Sequence, residues 1–156
     1  MKKEPSDIKV ISKNKKALFD YHIDERIEAG LALTGSEVKS LRDGQASLSD
    51  SYALIKNGEA FLLHAHIAPY APASAFNHEP KRTRKLLLHK TEILKLSSKL
   101  KEKGYTLVPL MLYFKRGRAK VELGLARGKR QYDKRASIKA RETKRELESA
   151  LRKRNR

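Results

Sequence analysis

Apolar side chains recur on alternate residues from Phe19 onward: Phe19, Tyr21, Ile23, Ile27, Ala29, Leu31 and Leu33 take odd positions, opposite Asp20, Asp24, Arg26 and Glu28. A period of two predicts one long, half-buried strand. Glu25 interrupts its apolar face and Gly30 brings no side chain to pack, so a bulge or bend is expected within it, as where small barrels turn corners. Lys56-Asn57-Gly58-Glu59, between apolar stretches at 52–55 and 60–67, predicts a hairpin with a two-residue turn, because Asn-Gly tolerates the positive φ such turns need. A third strand pair, at 105–114 and 119–126, flanks Arg116-Gly117. In its second arm Val121, Leu123 and Leu125 alternate with Lys120, Glu122 and Gly124.

Two stretches depart from period two. A short helix is expected near 36–42, stopped by Asp43-Gly44, and a longer one near 91–103, stopped by Gly104, with Ile93, Leu96 and Leu100 as its buried face. Six or so short antiparallel strands with few helices predict a mainly β chain, an OB-like antiparallel β-barrel; an SH3-like barrel is the alternative. Pro69 to Pro80 reads as a loop.

Charge then divides the chain. The 156 residues carry 36 Lys and Arg against 18 Asp and Glu, a formal +18, and so large an excess calls for a polyanionic partner. Residues 127–156 hold 13 Lys and Arg against 4 Asp and Glu, half of that excess. Their apolar residues form only a narrow helical stripe, Ala136, Ile138, Ala140, Leu147, Ala150 and Leu151, too small to offset the entropy of ordering by itself. Lys144 with Glu148, and Glu148 with Arg152, support a helix at i,i+4 spacing. The expected organisation is a basic N-terminal arm over 1–16, a barrel over 17–127, and a basic C-terminal tail over 128–156 that is disordered when free and helical when bound. No run reaches the roughly 20 apolar residues of a membrane span and no secretion signal opens the chain, which leads us to expect a cytoplasmic protein with no membrane partner. The absence of cysteine removes disulfides, thiolate zinc sites and thiol nucleophiles.

Catalytic chemistry finds little footing. His64-x-His66 would set two imidazoles on one strand face, but no third ligand accompanies them, so no metal and no cofactor is expected. Ser47, Ser49 and Ser51 lack the glycine pattern of a nucleophile elbow, and no Gly-rich phosphate loop occurs. The expectation is a binding protein, not an enzyme. Pro80-Lys-Arg-Thr-Arg-Lys85 places four cations ahead of an apolar anchor at 86–88 and reads as a phosphate clamp. Glu28, in a basic field, could accept amino protons from an unstacked base. Tyr132, the one aromatic residue of the tail, lies in Lys129-Arg130-Gln131-Tyr132-Asp133-Lys134-Arg135, a ring among cations of the kind that holds single-stranded RNA.

At these residues the chain closely resembles the small protein B (SmpB) family, the tmRNA-binding, or SsrA-binding, proteins of bacterial trans-translation. The resemblance runs from Asn14 to Glu142 and rests on four segments: Asn14-Lys-Lys-Ala17; Glu28-Ala-Gly-Leu-Ala-Leu-Thr-Gly-Ser-Glu-Val-Lys-Ser-Leu-Arg42; His78-x-Pro-x-Arg-x-Arg-Lys-Leu-Leu-Leu-His89; and Gly128-Lys-Arg-Gln-Tyr-Asp-Lys-Arg135. It implies a monomeric RNA-binding adaptor of ribosome rescue that grips the tRNA-like domain of tmRNA through Asn14, Lys15, Glu28, Arg82, Arg84, Lys85 and Leu88. It further implies a tail whose Gly128, Lys129, Tyr132, Asp133, Lys134 and Arg135 serve the decoding centre and empty mRNA channel. The implied partners are tmRNA, the stalled 70S ribosome with its small-subunit rRNA, and alanyl-tmRNA with elongation factor Tu. Ser36 stands where bulkier residues are common in the family, and Thr143 where some relatives carry an aromatic. A basic ribosomal protein with a structural RNA-binding role is the alternative, and a metal-dependent ribonuclease a more distant one.

Overall fold

The computed structural model describes residues 8–72, 77–102, 104–129 and 131–154, with backbone alone for 131–137 and 153–154. Among the described residues, nine strands and four helices follow one another as β1 (Ile8–Lys13), α1 (Lys15–Asp20), β2 (Tyr21–Leu31), α2 (Gly35–Arg42), β3 (Ala46–Ser47), β4 (Tyr52–Lys56), β5 (Glu59–Leu63), β6 (His66–Ile67), β7 (Arg84–Leu87), α3 (Lys90–Leu100), β8 (Tyr105–Lys115), β9 (Arg118–Gly128) and α4 (Gln131–Arg154). The antiparallel pairings run β8-β4-β5-β7-β2-β9 and return from β9 to β8, which is a barrel circuit; β4 meets β8 at the one pair Ala53 and Leu107. The expected two-residue hairpin at Asn57-Gly58 is present, and the third strand pair, β8 and β9, is joined by a turn of the same kind. Asn57 and Gly58 take φ of 53° and 74°, and Arg116 and Gly117 take 52° and 77°, the two successive positive values of a type I′ turn.

The long strand begins later than its alternation suggests. Phe19 lies in α1, because the Asn14 side chain accepts the Ala17 N–H at 3.2 Å and nucleates a helical turn before the strand can start. The expected irregularity in β2 falls between Ile23 and Glu25. Its effect is to switch faces while the sequence stays on odd positions: Ile27, Ala29 and Leu31 join the barrel core, whereas Tyr21 and Ile23 pack outside, against Ala17 of α1, Val108, Leu110 and Ala126. β8 does the same through a register shift between Pro109 and Met111. Leu107 points into the core before it, and Leu112 and Phe114 after it, while Val108 and Leu110 face α1. Proline fits there because a bulge can dispense with its missing N–H. At the same place Gly124 leaves room for Leu110, whose Cδ1 would lie 2.9 Å from an added Cβ.

Residues 8–13, read from sequence as part of a basic arm, form β1 on the outer edge of β8. Lysines on such an edge discourage further strand addition. Residues 1–7 of that arm lie outside the described residues. The loop expected from Pro69 to Pro80 is closed by Asn77, whose side chain accepts from Tyr70 N at 2.9 Å and donates to Tyr70 O at 2.8 Å; residues 73–76 lie outside the described residues. His64 does not share a strand face with His66: it occupies a bend at φ 62° after β5 and stacks on Tyr52 with ring centroids 5.4 Å apart, while His66 opens β6.

Candidate nucleic-acid interface

Two of the segments that carry the resemblance, 28–42 and 78–89, meet at α2 in a buried polar network. Glu37 opens the helix and is wholly buried, as is Arg84 at the start of β7. Glu37 accepts from Thr34 N at 2.9 Å and from Arg82 Nη2 at 2.6 Å through Oε1, and from Arg84 Nε through Oε2. Arg84 Nη1 donates to Ala65 O at 2.7 Å and Arg82 O at 3.0 Å, and Nη2 to Pro80 O at 3.1 Å. His78 bridges Ser36 Oγ at 2.9 Å and Ile67 O at 2.8 Å, and Ser40 Oγ donates to Ala68 O at 2.6 Å. Burial pushes the Glu37 carboxyl up, but hydrogen bonds from Arg82, the Thr34 N–H and Arg84 outweigh it and hold the group at about 2.

Arg84 is therefore removed from the phosphate clamp. Its guanidinium is spent inside the fold, where it fastens α2 to the β5–β6 corner and to the loop before β7. The local reason is strand parity: Arg84 and Leu86 point inward and Lys85 and Leu87 outward, so neighbouring cations cannot share a surface. Asn14 is likewise buried; besides capping α1 it donates from Nδ2 to Pro109 O at 2.9 Å across the β8 bulge. Arg82 is intermediate, with its side chain 37% exposed beside Glu37.

The residues that do reach one surface are Glu28, Lys85 and Leu88, which line a groove of about 880 Å³ together with Leu87, Arg118 and Lys120. Leu88 is half-buried against the core, so the exposed apolar side chain of the groove is Leu87, 53% exposed. Gly30 makes its position possible, since a Cβ there would lie 3.1 Å from that of Leu87. Glu28 projects from the outer face of β2, 38% exposed, and its Oε2 accepts from Tyr113 Oη and, at 3.4 Å, from Lys115 Nζ. The Tyr113 hydrogen bond, with help from Lys115 and Lys120, holds its carboxyl below the usual range against the effect of partial burial. Sequence reasoning missed Tyr113, Lys115, Arg118 and Lys120. The bulge in β8 turns Tyr113 and Lys115 to the outer face, and that bulge is announced only by Pro109 within an unbroken apolar run.

Lys15 stands apart from this groove. It lines a second hollow with Lys16, Leu18, Phe19, Lys129 and Arg141, where the tail leaves the barrel. Gly128 closes β9 opposite Tyr21, and Lys129 N donates to Asp20 O at 2.9 Å. α4 then begins, and Arg141 lies over the Phe19 ring at 5.5 Å. The side chains of Tyr132, Asp133, Lys134 and Arg135 lie outside the described residues, and from 138 to 152 every residue of α4 is exposed.

The barrel thus carries a groove of mixed charge, lined by Glu28, Glu59 and Glu92 as well as Lys85, Arg118 and Lys120, and a long exposed basic helix follows β9. The family described as SmpB protein matches residues 11–153. The chain belongs to the SmpB protein family. Proteins named SsrA-binding protein from Myxococcus xanthus and Geobacter sulfurreducens are each 60% identical to it, over 94% and 92% of this chain and 91% and 94% of theirs. A solved structure described as "tmRNA-SmpB: a journey to the center of the bacterial ribosome" is similar with a TM-score of 0.65 and 50% identity, covering 81% of this chain and 92% of that one. The matched span takes in the groove, the α2 network and all but the last residue of α4.

Proposed function

We propose that this protein is the RNA-binding adaptor of trans-translation. Its barrel takes the tRNA-like domain of tmRNA, delivers it to a stalled ribosome in the cytoplasm, and places the C-terminal helix in the decoding centre and the empty mRNA channel. The observation that carries this reading is the 60% identity, over nearly the whole chain, to proteins named for binding SsrA. The geometry supports it with a groove that combines a partly exposed carboxylate, apolar surface and cations, the set that recognises an unstacked base beside phosphates. No helix among the described residues is long and apolar enough to cross a membrane. In this reading the protein breaks no bond; it orients aminoacylated tmRNA, arriving with elongation factor Tu, and substitutes for the missing codon contact.

The groove residues Glu28, Lys85 and Leu88 would touch the tRNA-like domain directly, and Arg82 and Lys15, which lie outside the groove, would add positive charge elsewhere on the barrel surface. Asn14 and Arg84 would act by holding the barrel surface in shape. The deciding experiment is recovery of RNA with the tagged protein from cells: one dominant tRNA-like species supports the adaptor, whereas bulk ribosomal RNA alone would point to a structural ribosomal protein. Binding should also be strongly salt-dependent. If about six phosphates are neutralised, affinity falls on the order of a thousandfold between roughly 50 and 200 mM salt through counterion release. A flat response in a filter-binding titration would contradict this.

A further inference from the structure

The register of the barrel sets Glu28 directly opposite Glu122 across the β2–β9 ladder. Two carboxylates in that relation repel, and a sheet gains nothing from them. Glu122 is neutralised by Arg26 at 2.8 Å, whereas Glu28 is held from the other side by Tyr113, a residue only 3% exposed whose hydroxyl reaches the carboxylate from β8. The phenol is itself pushed well above its ordinary value by burial and by Glu28, so it remains a donor at any working pH. Among the described residues both donors to Glu28, Tyr113 Oη and Lys115 Nζ, fall on Oε2. No donor among those residues meets Oε1, which leaves it to accept from outside in a residue that lines the groove.

We propose that Tyr113 is the positioning residue for RNA recognition, fixing Glu28 as an ionised, outward acceptor for the exocyclic amino group of a base. This rests on the adaptor reading above and adds its chemistry. An ionised carboxylate accepts and does not donate, so it favours adenine, cytosine or guanine, each of which bears an amino group, over uracil, which bears none. A neutral carboxylic acid would offer a proton and blur that choice. Lys115 contributes charge, but at 3.4 Å and on a flexible stem it does not fix direction. The Tyr113 hydroxyl does so, because its ring is packed.

The test is a double-mutant cycle on the full chain, with affinity for a tmRNA tRNA-like domain measured for wild type, Tyr113→Phe, Glu28→Gln and the pair. Tyr113→Phe removes one oxygen from the outer end of a packed ring and is expected to weaken binding by about tenfold, the size of a hydrogen bond to a charged group. In the Glu28→Gln background it should cost less than about twofold. Carbon-detected titration of the Glu28 carboxyl in the free protein should show its midpoint rising in Tyr113→Phe, and the binding of that variant should fade at a higher pH on acidification than that of wild type. Losses that multiply independently, or a Glu28 titration that does not move, overturn the positioning role. A wild-type chain with no preference for tmRNA over ribosomal RNA would instead defeat the adaptor reading, and the same cycle on the RNA it does bind would still decide the role of Tyr113.

Discussion

Glu37→Ala is expected to destabilise the fold by about 3–5 kcal/mol, the cost of leaving a buried charge without its partner. Arg84 is wholly buried and is ion-paired with Glu37. Truncation would also remove the acceptor that holds Arg82 and the N–H of the N-cap residue Thr34. Arg84→Lys should be nearly as damaging as Arg84→Ala, because three carbonyls, of Ala65, Arg82 and Pro80, are bonded through the fixed fork of the guanidinium. The interaction has a pH signature. Glu37 titrates at about 2 in the fold and at its ordinary 4.5 when unfolded, so its stabilisation is complete above the unfolded value and is lost as the pH falls through that window towards 2. A depression of that size is worth roughly 3 kcal/mol at neutral pH. Urea melts of wild type and Glu37→Gln should therefore differ most above pH 5 and converge as the pH approaches 2. A difference that stays constant over that range, or a Glu37→Ala variant within 1 kcal/mol of wild type, would show the network to be incidental.

The same network explains where the sequence could be read and where it could not. Asn57-Gly58 and Arg116-Gly117 were legible as turns because few residues accept two successive positive φ values, so composition and conformation are tightly linked there. The odd-numbered alternation from Tyr21 to Leu31 was legible as a strand. The change of face within it was not, because a bulge between Ile23 and Glu25 leaves the numbering parity intact while it rotates the chain. Phe19 fitted the alternation by position, yet Asn14 caps a helix that claims it. Thr34-Gly-Ser-Glu37 matches a capping box, and that pattern would have identified Glu37 as the helix's own acceptor before any RNA was considered. The burial of Arg84 was the larger omission. The alternation of Arg84, Lys85, Leu86 and Leu87 already places Arg84 on the face of Leu86, and a count of cations along the segment discards that information. The resemblance named these residues together and could not separate Glu28 and Lys85, which reach the groove, from Asn14 and Arg84, which are buried in the fold.

Removing the chain after Gly128 should leave barrel stability and tmRNA affinity largely intact while abolishing peptidyl transfer to alanyl-tmRNA on a ribosome that has no mRNA in its decoding site. Among the described residues, the barrel core and the outer cluster under α1 use none beyond Ala126. α4 extends for 24 residues, about 36 Å at the helical rise, and exposes Ile138, Leu147 and Leu151 at 43%, 61% and 58%. A helix with so little packed against it draws almost no stability from tertiary contacts, and its charge excess opposes folding in isolation. We therefore expect low amide protection across 142–152 in the free protein and strong protection on the ribosome, with the Arg141–Phe19 contact marking the point from which ordering spreads. Replacing Asp133, Lys134 and Arg135 together should approach the loss caused by truncation, since two cations on ribosomal phosphates and one acceptor would set the placement of the tail. Transfer and tmRNA binding must be measured on the same preparations, because only their separation distinguishes a decoding element from a tether. Full transfer by the truncated protein would reduce the tail to electrostatic attraction, and protection of 142–152 already present in the free chain would mean that α4 needs no partner to fold.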